Sequence, residues 1–155
     1  MDSPRSTARI AGHPVHPMTV MFPIVLFILV WVADLMFWHR HDLIWATLGM
    51  LGLGLGIVLA LLAAVFGLID YFGDARIRAI PAANHHLAAN LIVVAVQIAN
   101  FIWRMNGGPG FLLPTGLILS TIAVLLLAYS GWKGGTLVYR HGVGVDSGAE
   151  RSQRR

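Results

Sequence analysis

Residues 43–72 read LIWATLGMLGLGLGIVLALLAAVFGLIDYF, an apolar run with no charged side chain before Asp70. As a helix rising about 1.5 Å per residue, it exceeds a hydrocarbon core of about 30 Å, so it must tilt or project beyond the bilayer. It shows no period-2 alternation, and only helices and closed barrels satisfy their backbone polar groups in lipid. The run is therefore a membrane-spanning helix. Three further apolar stretches surround it, at about 18–38, 87–104 and 111–132. The first is interrupted only by Pro23 and Asp34, and the third span (87–104) is the shortest and most polar. The first is too long for a signal-peptide core, and WVADLMFWHRHD offers no small-residue cleavage site. The expected fold is an all-α integral membrane protein, four transmembrane helices in an antiparallel bundle spanning residues 11–145. Residues 1–10 and the basic tail 146–155 read as flexible ends.

Composition agrees. Of 155 residues, 57% are hydrophobic and 12% charged, against about 25% charged in ordinary soluble domains. Mean hydropathy is +0.72. A cytosolic enzyme, a secreted module and a disordered chain are thereby excluded. The absence of cysteine removes disulfides, thiolate metal sites, iron–sulfur ligation and a thiol nucleophile. No GxSxG or HExxH occurs, the one glutamate is Glu150, and the glycines at 52–56 lie mid-membrane where no nucleotide reaches.

Four helices put both termini and the 73–84 loop on one side. That side carries Arg5, Arg9, Arg76, Arg78, Lys133, Arg140, Arg151, Arg154 and Arg155, and the other only Arg40 and Arg104. The positive-inside rule then places both termini in the cytoplasm and accounts for the basic charge without nucleic acid. Trp31, Trp38, Trp45, Trp103 and Trp132 lie mostly near span ends, as interfacial tryptophans do.

Within the spans, Gly49, Gly52, Gly56, Ala60, Ala63 and Gly67 form one small-residue face suited to close helix approach or oligomer contacts. Continuing that spacing reaches Asp70 and Asp74. His86, Asn90, Gln97, Asn100 and Arg104 form a polar face on the third span, which should turn away from lipid. His85, about 100° round the helix from His86, cannot share it. His13 and His16 each precede a proline, which biases them toward extended backbone, and in polyproline geometry they stand about 9 Å apart. Asp34 and Arg104 lie at similar depth and are expected to pair. His39 and His41 read as loop residues. There is no obvious long internal repeat.

At the cytoplasmic face the expected cluster comprises His13, His16, Asp70, Asp74, His86, Asn90, Tyr139, Arg140 and His141. Two cofactors suit it. A haem b would take His16 and His86 as axial ligands with Arg76, Arg78 or Arg140 at its propionates. A transition metal would take His13 or His16 with Asp70 and His86, with Asn90, Asp74 and His141 outside the ligands. Met18 and Met21 are compatible with copper. Electron transfer is the function expected of either. A scaffold or partner subunit without chemistry, and an ion or proton transporter using the polar face of the third span, are the alternatives. The expected partners are the lipid bilayer, a redox protein or a second copy of the chain.

GHPVHPMTVMFPI at 12–24, GLIDY at 67–71, the HxxxN of His86 and Asn90, and GWKGGTLVYRHGVGVD at 131–146 carry a resemblance to the bacterial membrane family called domain of unknown function 2231. Lys133 and Thr136 stand where its pattern suggests an apolar and an acidic residue. The resemblance implies four helices and a bacterial inner membrane. Similar chains joined to Rieske or cytochrome-type domains tilt the expectation toward electron transfer, by association only.

Overall fold

The computed structural model describes residues 4–145; the first three residues and the basic tail 146–155 lie outside the described residues. The chain opens with a two-stranded antiparallel hairpin, β1 (Arg9–Ile10) and β2 (His13–Pro14). Its turn residues Ala11 and Gly12 both have positive φ, 48° and 82°, the combination that tight hairpin turns require. Helix α1 (Val15–Arg40) follows at once, so His16 lies in the first helical turn rather than in extended backbone. Pro17 is tolerated there because an N–H in the first turn has no helical acceptor to lose. Asp42 accepts from the Ile44 amide at 3.0 Å and starts α2 (Leu43–Gly73). Asp74 ends α2 and caps the short α3 (Ala75–Arg78) through the Arg76 amide at 2.9 Å.

Helix α4 (Pro81–Gly107) begins on a proline that suits its first position. The chain then turns through Gly108–Phe111 and Leu112–Gly116, where Leu113, preceding Pro114, is extended (φ −115°, ψ 136°). Helix α5 (Leu117–His141) ends at Gly142, whose φ of 63° suits glycine after a helix. Helix α2 matches its apolar run to within one residue, whereas α1, α4 and α5 start and stop two to nine residues from the limits of theirs. Amphipathic ends such as Lys133–His141 stay helical while placing charge at the interface.

Three helical stretches are long and apolar enough to cross a membrane: Val15–Arg40, Leu43–Gly73 and the 61-residue run Pro81–His141 that contains α4, the turn and α5. Outward-facing Leu51 and Leu125 are each 67% exposed, far more apolar surface than a water-facing helix leaves open.

Helix α1 packs on α2, and α4 on α5; α1 also meets α5, and α2 meets α4. The small-residue face of α2 is taken up by α1. A Cβ on Gly52 would lie 3.2 Å from Val30, and one on Gly56 only 2.6 Å from Phe27. Phe27, Val30, Leu53, Ala60, Val93 and Ala123 make the buried core. Residues 4–10, read from sequence as a loose end, dock on the rest. Ser6 is 5% exposed, and Pro4 O accepts from the Gly144 amide at 3.2 Å.

Candidate functional site

The first turn of α1 carries His16 against α2, with Nδ1 2.9 Å from Ala63 O. Gly67, one turn further along α2, makes room for the ring, since a Cβ there would lie 3.0 Å from it. The first turn of α4 does the same with α5: His86 Nδ1 is 2.9 Å from Ser130 O, and a Cβ on Gly134 would lie 3.2 Å from the ring. The two rings face each other with centroids 6.1 Å apart and planes at 84°. A carbonyl only accepts, so Nδ1–H donates in both cases, and a neutral ring keeps its lone pair on Nε2.

This is a repeated arrangement that the sequence shows only in a pair of histidines and a pair of glycines. Seventy positions separate His16 from His86 and, again, Asp34 from Arg104. Sixty-seven separate Ala63 from Ser130 and Gly67 from Gly134. The hairpins α1–α2 and α4–α5 are thus built alike around the two histidines, with different apolar sequences.

A cavity of about 360 Å³ lies at this end of the helices. Its walls are largely apolar, with Ile24, Phe27, Ala60, Val94 and Leu127 among them, and His16, His86, Asn90 and Ser130 supply polar atoms. Asn90 Nδ2 donates to His86 Nε2 at 3.1 Å and to Ser130 Oγ at 2.8 Å. Ser6, Pro14, Asp70 and Gly144 also line it, so the docked N-terminal segment and the chain after α5 cover one end.

Of the other expected site residues, Asp70 reaches the cavity but is occupied by the N-terminal segment, and the rest go elsewhere. His13 is exposed on β2, its Nδ1 3.0 Å from Ala11 O. Asp70 accepts from Ser6 Oγ at 3.0 Å and from the Thr7 and Ala8 amides at 2.7 Å each, which anchors the N-terminal segment. Asp74 pairs with Arg76 at 2.7 Å and accepts from the Arg5 amide at 3.1 Å. The Arg76 side chain holds its carboxyl well below the usual carboxylate range, with the two amides adding to the effect against some desolvation. Arg78 reaches the Tyr71 and Phe72 carbonyls at the end of α2, at 3.2 and 2.6 Å. Tyr139, Arg140 and His141 are exposed at the end of α5. His85, also exposed, meets Tyr129 Oη at 3.2 Å.

The expected metal set therefore does not assemble: among the described residues, no three His, Asp or Glu side chains gather where one ion could be held. Haem fits no better. The imidazoles themselves fill the space at Gly67 and Gly134 that a porphyrin face would need. A cavity of about 150 Å³ holds one benzene ring, so the 360 Å³ here has room for a substituted ring.

At the opposite end, Asp34 and Arg104 form a buried ion pair with two parallel bonds of 2.9 and 2.6 Å. Ser120 Oγ adds 2.6 Å to the carboxylate, and Asn100 Oδ1 accepts from Arg104 Nε at 2.8 Å. Phe27 and Val93 line the cavity and belong to the apolar core, which comes between His86–Asn90 and the buried Gln97, Asn100 and Arg104. The polar face of α4 is thus divided into two separate groups.

Sequence reasoning passed over the Ala63 and Ser130 carbonyls, because backbone acceptors carry no residue signature. The signal that could have found them is Gly67 and Gly134, each near the end of its span.

The family described as predicted membrane protein (DUF2231) matches residues 12–147. No curated protein and no solved structure matches the chain.

Proposed function

The chain belongs to the DUF2231 family of membrane proteins, and we propose that it binds a small lipid-soluble molecule in the cavity between His16 and His86. In this reading α1, α2, α4 and α5 each cross the bacterial inner membrane as a four-helix bundle, with the cavity at the cytoplasmic end and both termini in the cytoplasm. The basic residues Arg5, Arg9, Arg76, Arg78, Lys133 and Arg140 support that orientation.

One observation carries the proposal: two histidines from separate hairpins are held by backbone carbonyls beside an apolar cavity of about 360 Å³. Ligand sites are apolar concavities with a few fixed polar groups, and this volume falls in their usual range. Fixing each ring through Nδ1 presets the direction of its Nε2 before any ligand arrives, which lowers the ordering cost of binding.

The test is extraction. Wild type and Val94→Trp, which fills the cavity, are purified in lipid discs taken from the native membrane, and their small molecules are identified by mass spectrometry. The expected result is a compound near one per chain in wild type and absent from Val94→Trp. Equal amounts in both variants, or nothing above protein-free discs, would overturn the proposal.

A further inference from the structure

The two histidines share a carbonyl at Nδ1 and a glycine beneath the ring, but differ in two contacts: Ser130 Oγ also lies 3.0 Å from His86 Nδ1, where Ala63 has no hydroxyl, and the Nε2 atoms are treated differently. His86 Nε2 receives the Asn90 amide one helical turn along α4, at 3.1 Å. The position one turn along α1 from His16 is Val20, which lines the same cavity and has no donor to offer. His16 Nδ1 is already engaged by Ala63 O, and among the described residues none donates to His16 Nε2. The repeated hairpins thus supply two matched acceptors, of which one is satisfied internally and the other is left at the cavity.

We propose that His16 Nε2 accepts a hydrogen bond from the hydroxyl of a lipid-soluble hydroxylated ring of the phenol class, whose apolar body fills the cavity. This rests on the cavity being a ligand site and adds the chemical class of the ligand. Val20, Ile24 and Phe27 line the cavity with His16, and the carboxylate that also lines it, Asp70, is already occupied by Ser6 Oγ and the Thr7 and Ala8 amides, so a cationic donor would find no open counterion there, which is costly. A hydroxyl brings one uncharged donor to the one open acceptor nitrogen. With about 150 Å³ sufficient for benzene, the volume leaves room for a ring and a short alkyl substituent. His86, tied to Asn90 and Ser130, acts as a positioning residue that holds the far wall.

The experiment compares 4-propylphenol with its methyl ether, which has the same body and no donor, binding to the full chain in lipid discs. Three proteins are used: wild type, Val20→Asn, which offers His16 the amide that Asn90 offers His86, and His16→Phe. Wild type should bind the phenol at least tenfold more tightly than the ether, as expected where a buried polar group is left unpaired by the poorer ligand. Phenol should also move the Nε2 resonance of His16 in nitrogen-15-labelled protein. In Val20→Asn and in His16→Phe the preference should fall to about onefold while the ether still binds. Equal binding of phenol and ether to wild type would overturn the hydroxyl assignment and leave the cavity site standing. A preference that survives in both variants would place the acceptor elsewhere and overturn it too. Binding of neither compound to wild type would overturn the cavity site itself and the hydroxyl assignment with it.

Discussion

Asp34 and Arg104 show what a single residue contributes in this setting. The pair is nearly sealed from solvent, 0% and 4% exposed, and a buried charge without its counterion is strongly unfavourable. Asp34→Ala leaves the Arg104 guanidinium uncompensated and should cost about 3–5 kcal/mol. The double variant Asp34→Ala/Arg104→Leu should cost less than the single one, because it removes both charges together. Thermal unfolding in a mild detergent decides: a double variant with a midpoint equal to or below that of Asp34→Ala would show that the uncompensated guanidinium is not what destabilises the single variant. Gly56 makes the steric counterpart. A Cβ there would meet Phe27 at 2.6 Å, so Gly56→Ala should destabilise by about 1–3 kcal/mol through overpacking. Both effects were partly legible in the sequence, as an intramembrane acid and base at matching depth and as a GxxxG step. The sequence did not say that α1, rather than a second chain, fills the glycine face.

At the scale of elements, the N-terminal segment is held by two carboxylates at the end of α2. Asp70 binds four groups from Ser6 to Ala8, and Asp74 binds the Arg5 amide. Asp70→Ala should therefore expose residues 4–10 to limited proteolysis in vesicles opened on that side, with the helices left intact; unchanged cleavage would show that other contacts hold the segment. The Asp74 latch has a defined pH sense. Its carboxyl is held below the usual range, and a depressed folded value contributes stability that is fully present above the unfolded value. That contribution is lost only as the pH falls below about 4, where an unperturbed aspartate protonates. Protection of the segment should thus stay flat from pH 8 to 5 and weaken below that window, and Asp74→Asn should remove the acid-dependent part. Composition suggested a loose end here because short polar stretches without apolar periodicity give no local sign of docking. The acceptors that hold this one lie more than sixty residues away in sequence.

For the molecule as a whole, charge placement makes the orientation testable. The chain has no cysteine, so single cysteines report cleanly. In intact cells a membrane-impermeant maleimide should label Asn106→Cys, near the α4–α5 turn, and leave Ala79→Cys, between α3 and α4, unlabelled until the membrane is opened. The inverse pattern would reverse the topology. The cavity end and the ion-pair end are separated by an apolar core, so substitutions at one end should leave the other's properties unchanged, as expected for distant sites without shared partners.

What the sequence determined by itself is the solvent and the helical architecture. Runs of apolar residues at membrane length admit few other solutions, because lipid satisfies no backbone hydrogen bond. The small face of α2, the polar face of α4 and the family membership were likewise written in local patterns. Only the tertiary structure decided which polar groups meet. His13, Asp70 and Asp74 were near the right end, yet each found a nearer partner in backbone amides, an arginine or its own turn. The likeness of the two hairpins stayed hidden for a related reason. Lipid-facing positions accept almost any apolar side chain, so the shared arrangement persists in a few histidine, glycine and carbonyl contacts that become visible only once the helices are packed.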